Sequence, residues 1–164
     1  MNRLWTPWRM PYLRGEYKKP NGCVFCHKPS CADKDEYILH RGEFCYVTLN
    51  RFPYSSGHLM VIPYAHVPSL EDLHAPTLTE IMLCVNTSLA ALREAYAPHG
   101  FNLGANLGKA AGAGIAEHVH MHIVPRWTAD VNFMPMVART RVIPEMLDEA
   151  YERLEPIFVR LVEA

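Results

Sequence analysis

The sequence predicts an α+β fold built on a mostly antiparallel sheet. Three observations lead there. Four short stretches carry strand patterning. One long helix with apolar periodicity separates the second stretch from the third. The turn Tyr54-Ser55-Ser56-Gly57 is short enough to close a hairpin between the first two. At 164 residues the chain is long enough for one substantial core and short for two. A single domain over 1–164 is therefore expected, as an arm (1–22), a core (23–127) and a C-terminal extension with a helix (128–164).

Residues 1–22 are rich in Trp, Arg, Pro and Tyr and follow neither helix nor strand period. They read as an irregular arm docked on the body or on a second subunit, because Trp5 and Trp8 are costly to leave in water. The first strand candidate, 43–49 (EFCYVTL), is aromatic and β-branched, and the second, 58–62 (HLMVI), is a short apolar run closed by Pro63. Thr77-Leu78-Thr79-Glu80 fits a capping box with Thr77 as N-cap. Ile81, Leu83, Val85, Leu89 and Leu92 follow at helical spacings, and Pro98 with Gly100 ends the run. Residues 101–106 (FNLGAN) alternate weakly, whereas 117–124 (EHVHMHIV) alternate strictly. A last helix is expected from near Pro144, with Met146, Leu147, Ala150, Tyr151 and Leu154 on one face and a break or kink at Pro156.

Composition excludes some functions. Apolar residues are 49%, charged residues 20%, and the formal net charge is −1. There is no basic excess to favour nucleic acid or an anionic membrane surface. The N-terminus lacks the apolar run of a secretory signal, and no stretch has the roughly 18 consecutive apolar residues of a membrane helix. A cytoplasmic protein is the expectation. The five cysteines, 23, 26, 31, 45 and 84, then read as reduced thiols or metal ligands rather than a disulfide framework.

The decisive stretch is His118-Val119-His120-Met121-His122. On a strand the three imidazoles project from one face, about 6.5–7 Å apart, with Val119, Met121 and Ile123 toward the core. A solvated polar face has no need of three histidines in register. Imidazoles so spaced can attack phosphorus, bind a metal, or both. The segment before them, 107–116 (LGKAAGAGIA), holds three glycines, four alanines and a lysine. Small residues let backbone N–H groups approach phosphate oxygens. A plain flexible hairpin loop reads the same way, and the Gly-Lys-Ser/Thr ending of a Walker loop is absent. Cys23-Val24-Phe25-Cys26 supplies half of a tetrahedral zinc site. A redox pair or two thiols without metal are the other readings, although the βαβ setting of a redox pair is missing.

HVHMHIV resembles the motif of the histidine triad (HIT) superfamily, three histidines alternating with apolar residues. The resemblance runs through Leu49-Asn50-Arg51-Phe52-Pro53 and Gly57-His58-Leu59-Met60-Val61-Ile62-Pro63 and covers about residues 23–126. Pro125-Arg126-Trp127, Asn132-Phe133-Met134-Pro135 and the opening 3–9 (RLWTPWR) are similar to the branch of bacterial diadenosine tetraphosphate phosphorylases and dinucleoside polyphosphate hydrolases. The resemblance implies a sheet of about five strands with one long central helix and a C-terminal helix. It implies nucleotidyl transfer from an adenine dinucleotide or mononucleotide substrate through a covalent histidine intermediate, with no metal at the reacting phosphate. His120 matches the nucleophile, His122 the histidine at the scissile oxygen, and His58 the fourth histidine of the site. Asn50 matches the ribose position, and Asn106 with Gly108, Lys109, Gly112 and Gly114 the phosphate-binding segment. Phe25 and Phe44 are candidates for the nucleobase pocket or for plain core aromatics.

Cys23, Cys26, His66 and His118 match the ligands of zinc-containing relatives, which implies a structural Cys2His2 zinc. His27 and Cys31 lie close enough to replace a ligand. The loop departs from hydrolytic relatives, which often carry Gln-Ser or Gln-Thr before the triad where this chain has Ala113-Gly114-Ile115. That leaves water and inorganic phosphate both open as the second acceptor. A homodimer is implied, with the long helix and a sheet edge at its interface. The alternatives are a Hint-like purine nucleoside phosphoramidate hydrolase, a metalloenzyme with all three triad histidines on a catalytic ion, and a nucleotide-binding protein without turnover.

Overall fold

The computed structural model describes residues 22–128, 130 and 145–163. The arm 1–21, the stretch 132–135 and the expected helix start at Pro144 lie outside the described residues. Five strands form one antiparallel sheet in the order β1-β2-β3-β5-β4: β1 (Ile38–Arg41), β2 (Cys45–Leu49), β3 (Leu59–Pro63), β4 (Gly100–Gly104) and β5 (Met121–Arg126). The helices are α1 (Val24–His27), α2 (Asp33–Glu36), α3 (Ala75–Tyr96) and α4 (Leu147–Glu163).

Strand alternation divides the sheet into two faces. Cys45, Val47, Leu49, Leu59, Val61 and Ile123 join Ile81, Cys84, Val85 and Leu92 of α3 and Leu154 and Phe158 of α4 in the main core. Ile38, Tyr46, Met60 and Ile62 point the other way and pack on Phe25. The segment from α1 to α2 therefore covers the second face.

The β2–β3 hairpin pairs Leu49 with Leu59 and Cys45 with Pro63. Its connection requires Gly57, which holds φ +71°, and an added Cβ there would lie 2.9 Å from the Tyr96 ring and 3.0 Å from Leu92. That close approach seats the next residue, His58, against the sheet.

Several expectations change. β1 carries no alternation, and the charged run Asp33–Glu36 before it hides its two buried residues, Ile38 and Leu39. α3 begins at Ala75 with His74 as N-cap, not at Thr77, because Pro76 is tolerated in a first turn. Glu80 makes no capping box. Its carboxylate accepts the backbone N–H groups of Glu43, Phe44 and Cys45 at 2.8, 2.6 and 2.8 Å. α4 runs on through Pro156, which is exposed, and Met146 is exposed rather than packed.

Among the described residues α3 is the one helix with the length and mean hydropathy (1.2) of a membrane span. It packs against α4 and three strands, and buries Ile81, Cys84, Val85, Ser88, Ala91 and Leu92, as a core helix does.

Candidate active site and metal centre

The histidine segment enters its strand later than alternation suggests. β5 begins at Met121, so only His122 of the three is on the ladder, opposite Met60 and Gly104. Ladder pairing with β3 stops at Val61↔Met121, and Pro63 has no N–H to extend it. Val119 instead donates its N–H to Val67 O at 2.8 Å. The approach stays extended enough for His120 and His122 to line one cavity, their ring centroids 4.7 Å apart.

The hydrogen bonds fix the tautomers. Tyr54 N–H donates to His58 Nδ1 at 3.0 Å, so the His58 proton sits on Nε2 and is donated to His122 Nδ1 at 3.0 Å. His122 then carries its own proton on Nε2. His120 Nδ1 lies 3.0 Å from the carbonyl of His118 and donates to it, which leaves Nε2 as the unprotonated nitrogen. Burial, followed by the neighbouring His122 and His120, pushes His58 down to about 3. Burial and His120 bring His122 to about 4, and burial lowers His120. All three rings are neutral near pH 7, and a neutral imidazole is the nucleophilic form.

The cavity, about 710 Å³, is walled by Phe25, Asn50, Met60, Asn106, Gly112 and Gly114 among others. Asn50 is buried, with Oδ1 accepting Phe52 N–H at 3.0 Å and Nδ2 3.4 Å from His58 Nδ1. The Phe25 ring touches both His120 (4.7 Å) and His118 (5.6 Å). Gly108 and Lys109 are outside the wall, so the structure brings only the later part of the glycine loop to the cavity. Phe44 is outside it too, and is 36% exposed. It precedes β2, whereas the cavity opens at the other end of that strand, beside Asn50.

Sequence reasoning missed Lys28 and Tyr54. Lys28 is 2% exposed yet lines the cavity. Its Nζ donates to Glu36 O at 2.7 Å and Thr48 Oγ1 at 3.3 Å and is paired with the Glu36 carboxylate at 3.1 Å. Burial lowers its pKa, and Glu36 opposes that shift. Nothing in Lys28-Pro29-Ser30 separates this lysine from a surface one. The Tyr54 contribution is a backbone N–H, which no side-chain pattern reveals.

Cys23, Cys26, His66 and His118 place one ligand atom each within 4.8 Å of all the others. Individual separations are 3.3 Å (Cys23 Sγ–His118 Nδ1), 3.3 Å (Cys26 Sγ–His66 Nδ1) and 3.2 Å (His66 Nδ1–His118 Nδ1). Ligands about 2.0–2.3 Å from a shared tetrahedral centre stand roughly 3.3–3.8 Å from one another. The set therefore fits a four-coordinate ion. His118 Nε2–H donates to Pro63 O at 2.8 Å, which frees Nδ1 for the metal and orients the ring. His27 and Cys31 are 3.5 Å from each other and outside the cluster.

A sheet carrying this histidine arrangement defines a class of protein, and comparison with known proteins names it. The HIT domain model matches residues 32–129, and the chain belongs to the HIT family. It is 39% identical to the AP-4-A phosphorylase of Mycobacterium tuberculosis, over 98% of this chain and 86% of that protein. A zinc-bound histidine triad family protein from Mycobacterium smegmatis superposes with TM-score 0.70 and 28% identity, covering 87% of this chain and 96% of that one. A hypothetical histidine triad nucleotide-binding protein from Sulfolobus tokodaii gives 0.66 and 27%, over 86% and 92%.

Proposed function

We propose that this protein is an enzyme that cleaves dinucleoside polyphosphates, diadenosine tetraphosphate foremost, through a nucleotidyl-His120 intermediate. The observation that carries the reading is the tautomer arrangement: His120 is neutral, with its proton committed to the His118 carbonyl. Its Nε2 lone pair attacks the α-phosphorus, and the bond from phosphorus to the bridging oxygen breaks. His122 Nε2–H is the donor for that oxygen, held in its tautomer by His58. The charge on the modified His120 ring is met by the His118 carbonyl. Water or inorganic phosphate then breaks the P–N bond. Asn50 serves the ribose, and Asn106, Gly112 and Gly114 the phosphates. The likeness to the mycobacterial AP-4-A phosphorylase favours phosphate as the acceptor.

Cys23, Cys26, His66 and His118 hold zinc in this reading, as the donor set and spacing fit that ion. It ties the α1 turn to the residue that precedes the nucleophile segment. We also propose a homodimer through the outer side of α3, where Met82 and Leu83 are 51% and 59% exposed. A monomer by light scattering at micromolar concentration contradicts the dimer.

The test is a product assay on diadenosine tetraphosphate with and without inorganic phosphate, alongside His120→Ala. ADP plus ATP formed only with phosphate identifies a phosphorylase, and AMP plus ATP without phosphate a hydrolase. Wild-type turnover that His120→Ala retains refutes the intermediate. No turnover by folded, zinc-loaded protein refutes the substrate, and phosphoramidates are assayed next.

A further inference from the structure

Cys45 and Cys84 form a second thiol pair, on the sheet face opposite the cavity. Cys45 opens β2 and is 0% exposed, and Cys84 lies on α3 at 4%. Their sulfurs are 3.7 Å apart, and the chemistry proposed above uses neither. Glu80, one turn before Cys84, accepts the Cys45 backbone N–H at 2.8 Å and so holds the two segments together. His40, on edge strand β1, is the most exposed of the three side chains. The contact from Cys45 favours the Cys84 thiolate, against burial, while the same contact raises Cys45. In the 3.7 Å contact Cys45 is the donor and Cys84 the acceptor, which makes Cys84 the sulfur to attack and Cys45 the one to resolve.

We propose that Cys45 and Cys84 are a site of oxidative modification that closes to an intramolecular disulfide on reaction with a hydroperoxide. The Cys84 thiolate attacks the terminal oxygen of the hydroperoxide, the O–O bond breaks, and a sulfenic acid forms with release of the alkoxide, or of hydroxide from hydrogen peroxide. The Cys45 sulfur then attacks the sulfenic sulfur. The S–S bond forms, and the sulfenic oxygen leaves as water with the Cys45 proton. Two electrons pass from the two sulfurs to the peroxide. A disulfide is about 2.05 Å long, so the sulfurs close by roughly 1.7 Å from their 3.7 Å contact. The bridge ties α3 to β2 across the hairpin that carries His58. This site is independent of the substrate the enzyme takes.

The experiment treats zinc-loaded full-length protein with hydrogen peroxide, alkylates the remaining thiols and digests with trypsin. Cleavage after Arg41, Arg51 and Arg93 places Cys45 in peptide 42–51 and Cys84 in peptide 52–93. The expected result is one reducible species joining these two peptides, approaching one linkage per chain. The thermal midpoint rises with it and falls back on reduction. Cys45→Ala is expected to leave a dimedone-reactive sulfenic acid on Cys84. Peptides 42–51 and 52–93 that stay singly alkylated while Cys31 is oxidised overturn the proposal. So does linkage of either one to Cys23, Cys26 or Cys31. The mass measurement on the unmutated chain does not depend on a variant folding.

Discussion

His58 makes the fold sensitive to acid in a way that one substitution removes. Its ring is wholly buried, its Nδ1 accepts the Tyr54 N–H, and its Nε2–H is given to His122. Protonating Nδ1 destroys the first bond and places a charge in the core. The ring stays neutral down to about 3 in the folded protein, whereas an unfolded histidine takes up its proton near 6.5. Below 6.5 the unfolded chain therefore binds the extra proton, and stability falls as pH is lowered toward 3. It is fully present above 6.5. Integrated over that difference, His58 alone removes about 2 kcal/mol of folding free energy between pH 7 and pH 5. Urea unfolding across pH 7.5 to 5 measures this directly. His58→Gln lacks the titrating ring, so its curve is expected to be flatter than wild type by about 2 kcal/mol over that span, on top of a lower stability at neutral pH. Two parallel curves refute the neutral, proton-donating His58 and the tautomer relay derived from it.

His66→Ala is expected to reduce bound zinc, by elemental analysis, to well under one per chain and to lower the thermal midpoint, whereas His27→Ala leaves both unchanged, since only His66 belongs to the cluster. Glu80→Ala removes three hydrogen bonds to the backbone N–H groups of Glu43, Phe44 and Cys45. Because the carboxylate is partly exposed, a loss of about 1–2 kcal/mol in chemical denaturation is expected, and no measurable loss contradicts its role as the clasp between α3 and β2. Leu154→Ala empties a wholly buried position between α4 and the sheet. Its expected cost is about 2–5 kcal/mol. A cost near zero means that α4 does not close the core as the structure has it.

The sequence by itself determined the family and the parts list. Strict alternation around His118, His120 and His122, the Gly57-His58 junction and the Cys-x-x-Cys turn are local patterns, and local patterns fix which side chains share a face. The long helix and four of the five strands were legible for the same reason. What depended on partners distant in the chain was not. The end of the ladder at Met121 follows from Pro63 on the neighbouring strand. Glu80 looked like a cap because its spacing from Thr77 is right, yet three backbone N–H groups from the β2 side claim its carboxylate. Residue type leaves Phe44 open between pocket and core, and strand direction places it at the far end from the cavity. The buried Lys28 and the backbone donor to His58 leave no trace in residue type. Tertiary structure alone decided the proton positions on the histidines and the 3.7 Å meeting of Cys45 with Cys84. A tautomer and a thiol contact depend on angstrom-scale approach between elements, and no periodicity along a chain encodes that.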